Sequence, residues 1–266
     1  MPEAAGLYYE VHGAEDAPPL ILSSGLGGSA SYWAPNIPAL AEHFRVIAYD
    51  HRGTGRSYRD LPETVVVDDF ADDILALMDE LGLARAHLIG HAAGGVAGLA
   101  LKLKAPERLG ALVVVNGWIR PDPHFERCFD ARLALLRNSG VEAYLRAQPI
   151  FLYPATWISQ HHADLEAELP HQISAFPGAA TMEKRIDALR RFDISELIHE
   201  LRGPMLAIAA RDDMLVPYTC SEPGMIDVPG MGLDFMGWGG HSCNVTDPEG
   251  FAWRILEFLT HNPLEV

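Results

Sequence analysis

Short apolar runs alternate with longer amphipathic stretches along most of this chain. The runs are rich in branched aliphatic residues and bounded by Gly, Pro or Asp, which is typical of strands buried on both faces. Strands that alternate with helices form a parallel sheet, because each helix returns the chain to the same end of the sheet. The pattern therefore predicts an α/β fold with a doubly wound, mostly parallel sheet. The predicted strands are Leu20–Leu22, Val46–Tyr49, His87–Ile89, Leu112–Val115, Met205–Ala209 and Leu233–Met236.

The alternation stops once, between residues 119 and 201. No convincing strand occurs there, and helical patterns are punctuated by prolines, namely Pro149, Pro154, Pro170 and Pro177. This stretch is far longer than the roughly 12 residues that a simple crossover needs. We expect a helical cap inserted over the carboxyl ends of the strands, where α/β proteins bind ligands. The predicted division is a core of residues 1–118 and 202–266 and a cap of residues 119–201.

The charge of the chain limits its partners. Its 20 basic and 36 acidic residues give a formal net charge of −16. Nucleic acids and anionic membranes are bound mainly through Lys and Arg, so we expect neither as a partner. The expected partner is a small-molecule substrate, although this charge would slow the approach of an anionic one. A helical cap can also serve as a dimer surface, so a homodimer is left open.

The cysteines and the N-terminus indicate the compartment. Cys128, Cys220 and Cys243 have no CxxC spacing, which predicts free thiols in a reducing environment. The first residues, MPEAAGLYYEVHG, contain neither the basic nor the apolar region of a signal peptide. The longest aliphatic runs are far shorter than the about 20 residues of a membrane helix. We therefore expect a cytoplasmic protein.

Scattered histidines and the lack of GxGxxG spacing in GLGGS predict no metal and no cofactor.

The sequence HLIGHAAGG, residues 87–95, carries the clearest chemical motif. A short strand runs into Gly90, and Gly94 and Gly95 lead into a helical stretch. This is the G-x-S-x-G nucleophile elbow in every respect but one. The glycines allow a strained strand-to-helix turn without a Cβ clash. Ala92 occupies the position that the turn presents to the site, and it has no nucleophilic atom.

Two polar residues further along are candidates for an acid–base pair. Asp213 stands in ARDDMLVP after a predicted strand, and its spacing to Pro217 favours it over Asp212. His241 stands in GWGGHSCN after the last predicted strand. An Asp that accepts a hydrogen bond from one imidazole nitrogen leaves the other nitrogen as a base. We therefore predict that Asp213 and His241 are catalytic.

Other residues are candidates for binding. The backbone amide of Ala93, directly after the elbow, and that of Leu26 in SSGLGGS occupy the positions of an oxyanion hole. Trp118, just beyond a predicted strand, and Arg127 in the cap are candidate pocket residues. A substrate carboxylate usually needs an Arg or a backbone nest. Arg127 and Arg52 are placed by topology to supply it, although each also fits a structural ion pair.

Taken in order, these motifs resemble the α/β-hydrolase superfamily, and in detail they are similar to the RutD family of the Rut pyrimidine-degradation pathway. The second resemblance rests on HAAGG, VNGWIR, ERCFDAR, QPIFLYPATW, RDDMLVP and GGHSCNVTDPE, of which the cap segment IFLYPATW is the most specific. It implies a hydrolase of nitrogen metabolism that acts on C–N bonds other than peptide bonds, with a non-serine elbow. The candidate reactions are deamination of 3-aminoacrylate and hydrolysis of carbamate.

The alanine at the elbow decides between mechanisms. Without a serine no acyl-enzyme can form, so we expect His241 to activate a water for direct attack in the space beside Ala92. One alternative is a serine esterase or amidase whose nucleophile has been mutated to Ala92. Another is a non-catalytic small-molecule binder on a hydrolase scaffold. Ester hydrolysis by an Ala92→Ser variant would favour the serine esterase or amidase. Absence of any rate effect on 3-aminoacrylate, carbamate and simple esters would favour the non-catalytic binder.

Overall fold

A central sheet organises the computed structural model, which describes residues 3–220, 222–226 and 228–264. The strand order within these residues is β1-β2-β4-β3-β5-β6-β7-β8. The β1–β2 and β2–β4 pairs are antiparallel and the remaining pairs are parallel. The strands are β1 Glu3–Ala4, β2 Leu7–His12, β3 Pro19–Ser23, β4 Arg45–Tyr49, β5 Ala86–His91, β6 Leu109–Val115, β7 Met205–Ala210 and β8 Met231–Met236. The predicted α/β fold with a mostly parallel sheet is confirmed.

The predicted apolar runs correspond to strands β3 to β8. Strands β1 and β2 were not predicted, because most side chains of β2 are only half-buried and the strand lacks a continuous apolar run. Its pairing with β4 depends on a partner more than thirty residues away in the chain. Residues 1, 2, 221, 227, 265 and 266, which fall within the predicted core, lie outside the described residues.

Helices cover both faces of the sheet. Their bounds are α1 Ile37–Ala41, α2 Val67–Glu80, α3 Ala93–Lys104, α4 Pro123–Leu152, α5 Ala155–Gln160, α6 His162–Ala175, α7 Ala179–Arg190, α8 Glu222–Met225, α9 Cys243–Thr246 and α10 Pro248–His261. Successive side chains of a strand point to opposite faces. In β3, Ile21 packs in the cluster that contains α2 and α3, whereas Leu20 and Leu22 pack in the cluster that contains α1 and α10. This two-sided burial explains why β3 reads as a continuous apolar run.

Among the described residues, the segment between β6 and β7 contains the helices α4 to α7 and no strand. Gly140 has a φ of 84° and a ψ of −178°, which are not helical and kink α4. Glycine allows this conformation because it has no Cβ. Pro154 and Pro177 lie between helices, as the sequence pattern predicts. Pro149 and Pro170 instead lie inside α4 and α6. In the part of the chain that is described, no helix is both long and apolar enough to cross a membrane.

Candidate active site

The turn between β5 and α3 has the geometry of a nucleophile elbow. Ala92 has φ 47° and ψ −106°, a strained backbone conformation for a residue with a side chain, which costs about 1–3 kcal/mol. A Cβ at Gly90 would overlap the carbonyl oxygen of Gly94, and a Cβ at Gly94 would overlap that of Ser23. Both glycines are therefore required by close backbone approach. The turn presents a methyl group to a cavity where this type of elbow usually presents a nucleophile.

His241 and Asp213 form a buried pair in the loops after β8 and β7. Nδ1 of His241 lies 2.8 Å from Oδ2 of Asp213. The other carboxylate oxygen accepts hydrogen bonds from the backbone amides of Leu215 and Val216 at 2.8 and 2.9 Å. These contacts hold the carboxylate against Nδ1, and Nε2 of the ring has no hydrogen-bond partner among the residues that the structure describes. Asp212, the rejected alternative, instead accepts a hydrogen bond from the backbone of Gly240.

Two side chains that sequence reasoning did not assign hold the backbone of His241. Nδ2 of Asn116 donates to the carbonyl oxygen of His241 at 2.7 Å. Nε2 of His91 lies 2.8 Å from the same oxygen, and because a carbonyl only accepts, this nitrogen carries the proton. Burial, together with the neighbouring His241, holds the pKa of His91 well below its usual value, so its ring is neutral. These two hydrogen bonds fix the backbone of His241 and thereby help to position its imidazole.

The predicted oxyanion donors lie beside the elbow. Ala93 is the first residue of α3, and Leu26 lies in the loop after β3. Neither backbone amide donates a hydrogen bond to any atom of the described residues. The amide of Gly94 donates to the carbonyl oxygen of Ser24 at 3.0 Å, which ties the loop to the start of α3. Leu26 lines the cavity together with Ala92, and the assignment of the two amides to an oxyanion hole stays a prediction.

Arg185 on α7 braces the loop that carries Leu26. It is fully buried, and its Nε donates to the carbonyl oxygen of Leu26 at 3.2 Å. Its other nitrogens reach the carbonyl oxygen of Arg52 at 3.1 Å and Nδ1 of His51 at 3.0 Å. Burial lowers the pKa of Arg185 to about 10, which leaves the guanidinium charged at neutral pH. The inserted helices therefore help to set the conformation of the candidate oxyanion loop.

A cavity of about 320 Å³ connects these groups. This volume is at the lower end of the about 300–1,000 Å³ that is usual for small-molecule sites. Ala92 and His241 line it from the sheet side, and aromatic residues of α4 line it from the inserted helices. Trp118, predicted as a pocket residue, is buried in its wall. The inserted segment and the carboxyl ends of the strands thus enclose one site.

The structure corrects the assignment of Arg127. This side chain is exposed and does not line the cavity, because it lies on the opposite face of α4 from Phe125 and Phe129. Arg52 forms an ion pair with Asp73 and is likewise not in the cavity wall. Arg132, on the same face of α4 as Phe125 and Phe129, is the arginine that lines the cavity. Helical spacing from those apolar residues was the signal that could have identified it.

The described residues contain no group of three or more His, Cys, Asp or Glu side chains arranged to hold a metal ion. The three cysteines are buried free thiols.

Asp213, His241 and Ala92 come together because β5, β7 and β8 end at the same edge of the sheet, and this layout defines the class of α/β hydrolases. The family described as "alpha/beta hydrolase fold" matches residues 18–223. A solved hydrolase from Pseudomonas aeruginosa PA01 has the same fold, with a TM-score of 0.85 and 27% identity over 95% of this chain and 94% of that one. The protein is a hydrolase of this fold.

Other relatives have a higher sequence identity to this chain. A protein of Caulobacter sp. (strain K31), named "Putative carbamate hydrolase RutD", is 56% identical over 257 residues, which are 96% of each chain. A protein of the same name from Caulobacter segnis is 53% identical over 257 residues, again 96% of each chain. The chain belongs to the RutD family of α/β hydrolases, as the resemblance in its motifs implied.

Proposed function

We propose that this protein hydrolyses a small C–N compound of pyrimidine catabolism in the cytoplasm, either 3-aminoacrylate or carbamate. The observation that carries the proposal is an intact Asp213–His241 pair beside a strained elbow whose apex is alanine. A pair that has no serine to deprotonate can still deprotonate water. The names of the relatives support carbamate, and both candidate substrates are small enough for the cavity. Residues 119–201 act as the cap that closes the site.

His241 is the general base of the proposed mechanism. Asp213 accepts the Nδ1 proton and orients the ring, so Nε2 takes a proton from a water held in the space beside Ala92. With 3-aminoacrylate, the water oxygen bonds to the imine carbon of the tautomer and gives a carbinolamine. The C–N bond then breaks with proton transfer to nitrogen, which releases ammonia and malonic semialdehyde. With carbamate, the same attack on the carbonyl carbon yields ammonia and bicarbonate.

The amides of Leu26 and Ala93 are available to the carbonyl oxygen that gains negative charge when water attacks carbamate. In the attack on the imine of 3-aminoacrylate, the electron pair of the C=N bond goes to the nitrogen, which takes up a proton. Donors of this kind contribute about 10²–10³-fold to rate, and general-base assistance about 10²–10⁴-fold. Accelerations of this size suit reactions that already proceed unaided in water. The proposal therefore does not require covalent catalysis.

Ammonia release from each candidate substrate tests the function directly. We expect the protein to accelerate release from 3-aminoacrylate, generated in the assay, or from carbamate by about 10²-fold or more over the uncatalysed reaction. A buffer blank and heat-denatured protein give the reference rate. A rate equal to that reference for both compounds would contradict the proposal and favour a non-catalytic binder.

Replacement of Ala92 by serine separates this mechanism from that of a serine hydrolase. The elbow retains the strained backbone of a nucleophile position, which is the observation that favours the serine alternative. Under our proposal the added hydroxyl displaces the attacking water, and ammonia release falls by about 10²-fold, since a shift of about 1 Å can cost this much. The matched control is Ala92→Gly, which keeps the space and relieves the strained φ.

Hydrolysis of p-nitrophenyl acetate is measured on the same variants. Strong ester hydrolysis by the Ala92→Ser variant, together with no ammonia release by the unmodified chain, would favour a serine esterase or amidase. Ammonia release that is lost in Ala92→Ser and retained in Ala92→Gly supports direct attack by water.

A further inference from the structure

We propose that Arg132 binds the carboxylate of the substrate and so makes the site selective for small anions. The inference rests on the proposed function for the identity of the reacting group, but its evidence is separate. It comes from the unusual environment of this guanidinium on the inserted helix α4. No part of the Asp213–His241 geometry is needed for it.

Arg132 is buried, with 3% of its surface exposed, and it lines the same cavity as Ala92 and His241. Its Nη2 donates to the hydroxyl of Tyr144 at 2.7 Å and makes a longer contact of 3.5 Å with Oε1 of Gln148. Neither Nε nor Nη1 donates to any atom within the described residues. Several N–H groups of a buried cation therefore lack an acceptor, which is costly unless a ligand supplies one.

The charge of Arg132 also lacks a counter-ion. Within residues 3–220, 222–226 and 228–264, no carboxylate comes within 4.0 Å of its nitrogens. Glu126 and Asp130, on the same helix, both pair with Arg190. Glu168 at the cavity wall is exposed and forms no ion pair with Arg132. The nearby carboxylates are thus paired elsewhere or open to solvent.

Aromatic rings take the place of a counter-ion. The guanidinium carbon of Arg132 lies 4.9, 5.3 and 5.7 Å from the ring centroids of Phe129, Tyr144 and Phe151. Such rings favour a cation without neutralising it, and they exclude water from around it. A carboxylate that enters this apolar setting gains charge-assisted hydrogen bonds that are stronger than those in water.

The other buried arginine has an acceptor for each of its nitrogens. Arg185 has a different acceptor for Nε, Nη1 and Nη2, all from the sheet domain. Each nitrogen of Arg185 thus has an acceptor, whereas Nε and Nη1 of Arg132, at the cavity, have none among the described residues. A local cation at the site also offsets the formal net charge of −16, which would otherwise repel an anionic substrate.

Binding of an unreactive ligand tests the inference without turnover. The ligand is 3-hydroxypropionate, which carries a carboxylate and a hydroxyl on a three-carbon chain, and its neutral counterpart is 3-hydroxypropionamide. We expect titration calorimetry to show that the protein prefers the carboxylate, and that Arg132→Met weakens its binding about 10- to 100-fold. Methionine retains the apolar stem among the rings, and Arg132→Lys, which keeps the charge, should restore part of the affinity.

The control is Arg127→Met, which removes an exposed charge from the same helix and should leave affinity unchanged. Melting temperatures of all variants identify any loss of folding, and if Arg132→Met does not fold, the Arg132→Lys variant and the carboxylate–amide comparison decide. Equal binding of the acid and the amide, or equal affinity in Arg132→Met and the unmodified chain, would overturn the inference. In turnover assays the loss should appear mainly in KM. If carboxylate binding depends on Arg132 but the protein releases no ammonia, the proposed function is contradicted and the inference about Arg132 is not.

Discussion

Replacing His241 by alanine is expected to lower the rate of ammonia release by about 10²–10⁴-fold, which is the usual contribution of a general base. Alanine leaves the attacking water without the proton acceptor at this position, and His91 is a much weaker base because burial holds its pKa well below its usual value. The effect should appear in kcat, because a small substrate gains little ground-state binding from this ring. Initial rates of ammonia release at several substrate concentrations give both constants.

The Asp213→Asn variant is measured in the same assay of ammonia release. An asparagine preserves the shape of the side chain but no longer stabilises a protonated imidazole or favours the tautomer with a proton on Nδ1. The double variant with His241→Ala should be no slower than His241→Ala alone, since the two residues act as one unit. The control is His199→Ala, which alters a histidine that is 74% exposed at its side chain. Full activity in His241→Ala would exclude the proposed mechanism.

Replacing Gly94 by alanine is expected to destabilise the protein by about 3 kcal/mol, at the upper end for overpacking. The new Cβ would overlap the carbonyl oxygen and the side-chain oxygen of Ser23, and both elements are rigid because α3 and β3 pack in the core. For a domain of this size the loss corresponds to a melting temperature lower by about 6–12 °C.

The matched control for the elbow is Gly237→Ala. A Cβ at Gly237 would meet no atom within 4 Å, and its φ is not positive, so its melting temperature should stay within about 2 °C of the parent. Thermal unfolding followed by circular dichroism measures both variants. An unchanged melting temperature for Gly94→Ala would show that the elbow can relax, and it would contradict the close approach seen between α3 and β3.

The fold and part of the site could be predicted because their signals are local. Buried strands such as β6 need apolar residues on both faces, and the elbow needs glycines at particular positions, whatever lies elsewhere in the chain. Strand β2 was missed because its half-buried side chains acquire strand character only by pairing with β1 and β4. A strand with half-buried side chains carries a weaker sequence signal than one that is buried on both faces.

The arginines illustrate the same division within the site. Three arginines of equal basicity have different roles in the structure. Arg127 is exposed, and Arg132 lies at the cavity with N–H groups that have no acceptor among the described residues. Arg185 lies beneath the loop of Leu26 and donates a hydrogen bond to it. Their roles depend on which face of a helix meets the cavity and on which acceptors the sheet domain brings near. Neither property follows from residue type.

The sequence by itself determined the alternation of strands and helices, the place of the elbow and the residue order Ala92, Asp213, His241, because each depends on local composition and spacing. Only the tertiary structure decided that Asn116 and His91 hold the backbone of His241 and that Arg132 rather than Arg127 reaches the cavity. The physical reason is that hydrogen-bond partners and burial are set by contacts between segments far apart in the chain, and these exist only once the inserted helices have packed over the sheet.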